Sequence, residues 1–83
     1  MSSLLSSFIK TVLEIKTDKE MLEFLKGILT PKELEELPTR LEIVKRLKRG
    51  EAQHKIAEEL GVGIATVTRG SKELQKGSFK QIS

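Results

Sequence analysis

The 83-residue chain contains no cysteine, no tryptophan and no tyrosine, and it has a single histidine. Without cysteine it forms neither a disulfide bond nor a thiolate metal site. These few side chains do not suffice for a catalytic or zinc centre, so we expect neither an enzyme nor a metal cofactor. No apolar run is long enough to span a membrane, and the first residues lack the basic start and long apolar core of a signal peptide. We therefore expect a cytoplasmic protein with no membrane partner.

The length of the chain predicts one small domain over residues 1–83. Its charge is unevenly distributed. Residues 1–39 carry five lysines against seven acidic residues, a net charge of −2, whereas residues 40–83 carry ten basic against five acidic residues, a net charge of +5. A basic half favours contact with phosphates, although a basic surface is often merely solvated.

Residues 53–76 contain two short helical patterns that meet at a tight turn. Ile56, Ala57 and Leu60 recur three or four residues apart, so they lie on one face of the first helix. Gly61 ends that helix, because glycine readily takes the left-handed conformation of a helix C-terminus. A second helix starts near Ile64, and Val67 and Leu74, seven residues apart, mark its buried face. The pattern predicts a helix-turn-helix, whose second helix lies in the major groove of DNA; the alternative is a helical corner packed for its own sake.

The candidate DNA contacts follow from this motif. Small and hydroxyl-bearing side chains at the start of the second helix would reach base edges, and polar or basic side chains near it would bind phosphates. The predicted base contacts are Ile64, Ala65, Thr66 and Thr68, and the predicted phosphate contacts are Gln53, Lys55 and Lys72, with Arg46 as a further candidate. His54 is either a phosphate contact or an ordinary exposed side chain.

Residues 1–29 are predicted to form two dimerisation helices. Apolar residues recur at helical spacing from about Ser3 to Lys16, and Thr17 with Glu20 forms a capping box that starts a second helix near Asp18. The apolar residues cover more than one face of each helix. This distribution favours a homodimer built from these helices over a thick intramolecular core.

Residues 30–50 are predicted to form a central helix. Thr30, Pro31 and Glu33 make a capping box with proline at the first helical position. Because proline inside a helix removes a hydrogen bond, Pro38 predicts a kink or a restart at Thr39. The core face of the remaining helix carries Leu41, Ile43, Val44 and Leu47. Residues 77–83 are predicted to be a short, frayed tail.

Three stretches together resemble the Trp operon repressor family over roughly residues 28–74. They are Leu29-Thr30-Pro31, then Thr39-Arg40-Leu41-Glu42-Ile43-Val44 through Arg49-Gly50-Glu51, and Leu60-Gly61-Val62-Gly63-Ile64-Ala65-Thr66-Val67-Thr68-Arg69-Gly70-Ser71. The resemblance implies an all-α fold in which N-terminal helices form an intertwined homodimer. It also implies a transcriptional repressor that binds a double-stranded DNA operator, with L-tryptophan as corepressor.

The family's ligand site, carried over position by position, implies roles for the residues Gly27, Leu29, Thr30, Arg40, Arg69, Gly70 and Glu73. The two arginines would sandwich the indole ring, and Arg69 would also pair with the ligand's carboxylate. The hydroxyl of Thr30 would help to hold that carboxylate, and backbone carbonyls at Gly27 and Leu29 would face the ammonium group. Gly70 would leave room beside the ring.

Glu73 stands where the family has a serine near the ligand's amino group. It could pair with the ammonium group of the ligand, or it could pair with Arg69 four residues earlier and close the pocket without a ligand. The second possibility predicts a DNA-binding dimer that has no amino-acid corepressor. A further alternative is a dimerisation module that does not bind DNA.

Overall fold

A computed structural model of the protein describes residues 2–82, all of whose regular structure is helical. The five helices are α1 (Ser3–Glu14), α2 (Asp18–Ile28), α3 (Pro31–Lys48), α4 (Gln53–Leu60) and α5 (Ile64–Gln75). The chain divides into two compact units, of which the first ends at Leu34 and the second begins at Glu35. The all-α prediction is confirmed. None of these helices is long and apolar enough to cross a membrane.

The first unit contains the two N-terminal helices that the apolar spacing predicted. Ser2 caps α1 by accepting a hydrogen bond from the backbone N–H of Leu5, and Thr17 caps α2 by accepting one from Glu20. The rings of Phe8 and Phe24 lie with their centroids 6.2 Å apart, which is within the range of aromatic pairs.

No residue of α1 or α2 is buried, although both helices are rich in apolar side chains. The exposed large apolar side chains in this unit are Leu4, Leu5, Phe8, Ile9, Leu13, Leu22 and Ile28. The thick intramolecular core is therefore not formed within this unit. An apolar surface of this kind is typical of a protein–protein interface, and the homodimer stays a prediction.

Helix α3 starts at the predicted capping box and then differs from the prediction. The N–H of Thr30 donates to Glu33 Oε1 at 2.9 Å, and the N–H of Glu33 donates to the hydroxyl of Thr30 at 3.2 Å. The first of these bonds lowers the pKa of Glu33 from its ordinary value. The predicted restart at Thr39 is wrong, since the helix continues through Pro38 to Lys48. Pro38 removes one backbone hydrogen bond, whereas the ten residues beyond it keep a helical ladder and bury Ile43 and Val44.

The core of the second unit lies between α3 and the helix-turn-helix. Its buried side chains are Ile43, Val44, Ile56, Ala57 and Val67, and the half-buried Leu47, Leu60 and Val62 pack against it. The sequence pattern identified all five buried residues. Leu41 was also predicted to belong to the core, but it is 40% exposed; its side chain lines a pocket instead.

Candidate nucleic-acid interface and adjoining pocket

The turn between α4 and α5 has the geometry that its glycine predicted. Gly61 has a φ of 66°, in the left-handed region, and the backbone N–H of Val62 donates to the carbonyl of Ala57 at 3.0 Å. A residue with a side chain would be strained at this φ. The glycine therefore makes the sharp change of direction that leads into α5.

The N-terminal face of α5 is exposed. Ile64 is 51% exposed, and Ala65 and Thr66 are exposed as well. Small, apolar and hydroxyl-bearing side chains on such a face suit the close approach of DNA bases. Their part in DNA contact stays a prediction.

Two of the predicted DNA contacts bind each other. The hydroxyl of Thr68 donates to Gln53 Oε1 at 2.9 Å, so the middle of α5 is linked to the first turn of α4. Because this bond uses the amide oxygen of Gln53, it directs the amide N–H₂ group away from Thr68. That group is a hydrogen-bond donor suited to a phosphate oxygen.

The remaining predicted phosphate contacts lie on the surface of the second unit. His54 and Lys55 are exposed on the first turn of α4, and Lys72 is exposed on α5. No group of histidine and acidic side chains within residues 2–82 has the arrangement of a metal site.

Arg46, a further candidate for phosphate binding, lies among three acidic side chains, and its part in phosphate binding stays a prediction. Its guanidinium binds Glu42 at 2.9 Å and Glu59 at 2.5 Å, and it lies 3.7 Å from Glu51. These contacts fasten α3 to α4. Because Arg46 donates hydrogen bonds to Glu42 and Glu59, its pKa is raised, and the hydrogen bond that Glu42 accepts from Arg46 lowers the pKa of Glu42. The sequence did not predict the contact between Arg46 and Glu59, because the two residues lie thirteen positions apart on different helices.

A pocket of about 370 Å³ lies in the second unit between α3 and α5. Its volume falls in the range of small-molecule sites, about 300–1,000 Å³. The lining residues are Leu37, Arg40, Leu41, Ile43, Val44, Thr66, Arg69, Gly70, Glu73 and Phe79. Four of the seven predicted ligand residues, namely Arg40, Arg69, Gly70 and Glu73, are thus brought together in one pocket.

The charged groups of this pocket differ in how they are paired. Arg40 lies 3.7 Å from Glu36, one turn earlier on α3. Glu73 accepts a hydrogen bond from the hydroxyl of Ser78 at 3.1 Å and lies 3.6 Å from the ammonium group of Lys76. The pairing of Glu73 with Arg69 that the sequence suggested is not formed. Within residues 2–82, Arg69 has neither a hydrogen bond nor an ion pair from its side chain, so its guanidinium is available to an anionic ligand.

Gly70 has a structural role beside its predicted one. A Cβ atom at this position would lie 3.3 Å from a methyl group of Ile43 and 3.6 Å from one of Leu47. The absence of a side chain therefore lets α5 approach α3 closely. That Gly70 leaves room beside the ring of a bound ligand stays a prediction.

The other three predicted ligand residues, Gly27, Leu29 and Thr30, belong to the first unit. Leu29 ends α2, with its N–H donating to the carbonyl of Leu25 at 2.9 Å, and Thr30 caps α3. Among residues 2–82, no atom outside the helix would lie within 4 Å of a Cβ atom at Gly27. Their predicted part in ligand binding stays a prediction.

Sequence reasoning missed the contribution of Phe79 to the pocket. Residues 76–81 form turns, and Phe79 within them lines the pocket. The one available signal was compositional, since Phe79 is the only aromatic residue after Phe24.

Two short helices joined through a left-handed glycine, with an exposed N-terminal face on the second, define a helix-turn-helix protein of the kind that regulates transcription. Comparison with known sequences identifies the family. The sequence model described as "Trp repressor protein" matches residues 3–82. The chain therefore belongs to the Trp repressor family, which is a family of transcription regulators and not of enzymes.

Several curated relatives carry the name "Trp operon repressor homolog". The protein from Vibrio atlanticus is 41% identical over 78 residues, which cover 93% of this chain and 76% of the relative. The protein from Photobacterium profundum is 53% identical over 55 residues, which cover 65% of this chain and 53% of the relative. The protein from Vibrio vulnificus is 53% identical over 49 residues, which cover 58% of this chain and 48% of the relative. The chain thus spans about half the length of most of these relatives.

Proposed function

We propose that this protein is a cytoplasmic, homodimeric repressor that binds a two-fold-related DNA operator through its helix-turn-helix, with L-tryptophan as corepressor. The observation that carries the proposal is that the pocket and the predicted reading surface share α5. Thr66, Arg69 and Glu73 line the pocket, whereas Ile64 and Ala65 lie exposed on the first turn of the same helix. A ligand bound in the pocket would therefore contact the helix that reads DNA.

The chemistry of the pocket fits an aromatic amino acid. Arg69, which lacks an acidic partner within residues 2–82, would bind the carboxylate of the ligand. The apolar side chains of Leu37, Leu41 and Phe79 would surround the ring. The carboxylate of Glu73 would bind the ammonium group, exchanging its contact with Lys76 for one with the ligand.

The dimer is supported by the first unit. Its exposed apolar side chains, among them Leu4 at 84% and Leu13 at 70% exposure, would be covered by a second copy of the chain. A two-fold dimer presents two reading helices, and such helices bind half-sites about 34–36 Å apart. The operator is therefore expected to be a pseudo-palindrome.

Selection of bound duplexes from a library of random double-stranded DNA tests the proposal. In the presence of L-tryptophan we expect enrichment of two inverted half-sites about one helical turn apart, with an affinity that falls steeply as salt concentration rises. Without L-tryptophan the enrichment should weaken. Equal enrichment in both conditions would instead identify a DNA-binding regulator without this corepressor. The absence of any salt-dependent DNA binding would overturn the proposal in favour of a dimerisation module.

A further inference from the structure

The segment that follows α5, residues 76–82, which we name the closing turn, has a defined conformation. Gly77 has a φ of 86°, in the left-handed region, and its N–H donates to the carbonyl of Leu74 at 3.0 Å. The N–H of Ser78 donates to the carbonyl of Glu73 at 3.3 Å. This pair of bonds is the Schellman arrangement, which ends a helix and reverses the chain.

The closing turn is fastened to both helices that form the pocket. From α3, the ammonium group of Lys48 donates to the carbonyl of Phe79 at 2.9 Å and also to the carbonyl of Ile82. From α5, the carboxylate of Glu73 accepts the hydroxyl of Ser78 at 3.1 Å. Hydrogen bonds to both helices therefore hold the closing turn in one position.

Within the closing turn, Phe79 is the one aromatic residue among the described residues that line the pocket. The ring is half buried, and it shares the pocket with Leu37 and Leu41 from α3. We propose that Phe79 forms a wall of the pocket that contacts the bound ligand, and that Lys48 is the residue that positions this wall. The inference rests on the proposed function, because it takes this pocket as the corepressor site.

An aromatic wall favours ligands with an aromatic ring. Offset or edge-to-face contact between two rings adds about 0.5–1.5 kcal/mol to the free energy of area burial, which corresponds to about 2- to 12-fold in affinity. Phe79 would thereby distinguish L-tryptophan from an aliphatic amino acid. Lys48 does not contact the ligand in this scheme; it acts by holding the backbone of the closing turn.

The position of Phe79 is tested without ligand by the variant Phe79→Trp. The natural chain has no tryptophan and no tyrosine, so the fluorescence of this variant reports only on position 79. We expect an emission maximum at shorter wavelength than that of free tryptophan, because the ring lies against apolar side chains. Adding Lys48→Met, which keeps the apolar stem and removes the ammonium donor, should shift the emission towards that of the free amino acid.

Lys45→Met is the matched control, since Lys45 lies on the same helix and donates no hydrogen bond within residues 2–82. It should leave the emission of Phe79→Trp unchanged. Circular dichroism checks that each variant keeps its helices. If the emission of Phe79→Trp equals that of free tryptophan, or if Lys48→Met and Lys45→Met have the same effect, the positioned wall is refuted.

Contact with the ligand is tested by Phe79→Leu, which keeps an apolar side chain and removes the ring. The fluorescence of added L-tryptophan reports binding, because the protein contributes no tryptophan signal of its own. We expect the variant to bind L-tryptophan about 2- to 12-fold more weakly than the natural chain. Equal affinity would overturn the inference and leave the proposed function standing. Failure of the natural chain itself to bind L-tryptophan would overturn both the corepressor proposal and the ligand contact of Phe79.

Discussion

Thr68 and Gln53 link the two helices of the helix-turn-helix through a side-chain hydrogen bond of 2.9 Å. Both residues are half buried, and fifteen positions separate them in the chain. The bond fixes the first turn of α4 against the middle of α5. It also fixes the direction of the Gln53 amide, so a side chain predicted to bind phosphate is oriented before DNA arrives.

Removing this hydrogen bond should reduce stability and DNA affinity together. Thr68→Val keeps the shape of the side chain and removes the donor, so we expect a loss of about 0.5–1.5 kcal/mol in the free energy of unfolding. Urea unfolding of Thr68→Val, Gln53→Ala and the double variant measures the coupling between the two side chains. If the effects of the two substitutions simply add, the hydrogen bond contributes nothing to stability.

The reading surface is tested most clearly at Ala65. This residue is exposed on the first turn of α5 and does not line the pocket, whereas Thr66 does. Ala65→Glu should abolish binding to the selected operator, because a carboxylate would face the phosphates and base edges of the groove. Gln75→Glu adds the same charge at the other end of α5 and should bind the operator nearly normally. Equal loss in both variants would mean that net charge, and not the recognition surface, is responsible.

Several local features of the fold could be predicted from the sequence. Gly61 ends α4, Val67 is buried, and the capping box at Thr30 starts α3, since each depends on residues within a few positions. Arg40, Arg69, Gly70 and Glu73 were grouped by resemblance, and the structure brings them to one pocket.

Features that depend on contacts between distant residues were missed or predicted wrongly. The ion pair between Arg46 and Glu59 was not predicted, because Glu59 belongs to another helix thirteen residues away. The hydrogen bond from Lys48 to the carbonyl of Phe79 was not predicted, because the two residues lie 31 positions apart in the chain. Neither partnership leaves a periodic pattern in the sequence. At Pro38 the local sequence predicted a restart of the helix. The helix nevertheless continues, and the residues beyond Pro38 include the buried Ile43 and Val44.

The ion pairs around Arg46 should make stability depend on pH. Hydrogen bonding to Arg46 lowers the pKa of Glu42 below its ordinary value of 4.5 in the folded protein. The unfolded chain therefore binds this proton more readily, so the stabilisation is fully present above pH 4.5 and is lost as the pH falls through the lowered pKa of the folded state. The urea midpoint should therefore fall as the pH is lowered below about 4.5.

Arg46→Met should flatten part of this pH dependence, because it removes the hydrogen bond that lowers the pKa of Glu42. The capping carboxylate of Glu33, whose pKa is also lowered, would retain its own contribution. Glu33→Gln is therefore the matched variant. It should remove the contribution of Glu33 to the pH dependence of stability, which Arg46→Met leaves in place. An unchanged slope of the urea midpoint against pH in Arg46→Met would contradict the role of this ion pair.

Glu73 decides how the pocket would recognise the amino group of a ligand. Its carboxylate lies 3.6 Å from Lys76 and accepts the hydroxyl of Ser78, and both contacts are exposed enough to exchange for a ligand ammonium group. Glu73→Gln keeps the size of the side chain and removes its charge. We expect the variant to bind L-tryptophan about 10-fold more weakly, a change of about 1.4 kcal/mol.

The comparison ligand is indole-3-propionate, which has the ring and the carboxylate of L-tryptophan but no amino group. Its affinity should not fall in Glu73→Gln, because this ligand has no ammonium group for Glu73 to bind, and Arg69 and the apolar walls remain. Fluorescence titration of each ligand with each protein measures the four affinities. Tighter binding of L-tryptophan by Glu73→Gln would show that the natural carboxylate opposes the ligand, and it would favour the regulator without an amino-acid corepressor.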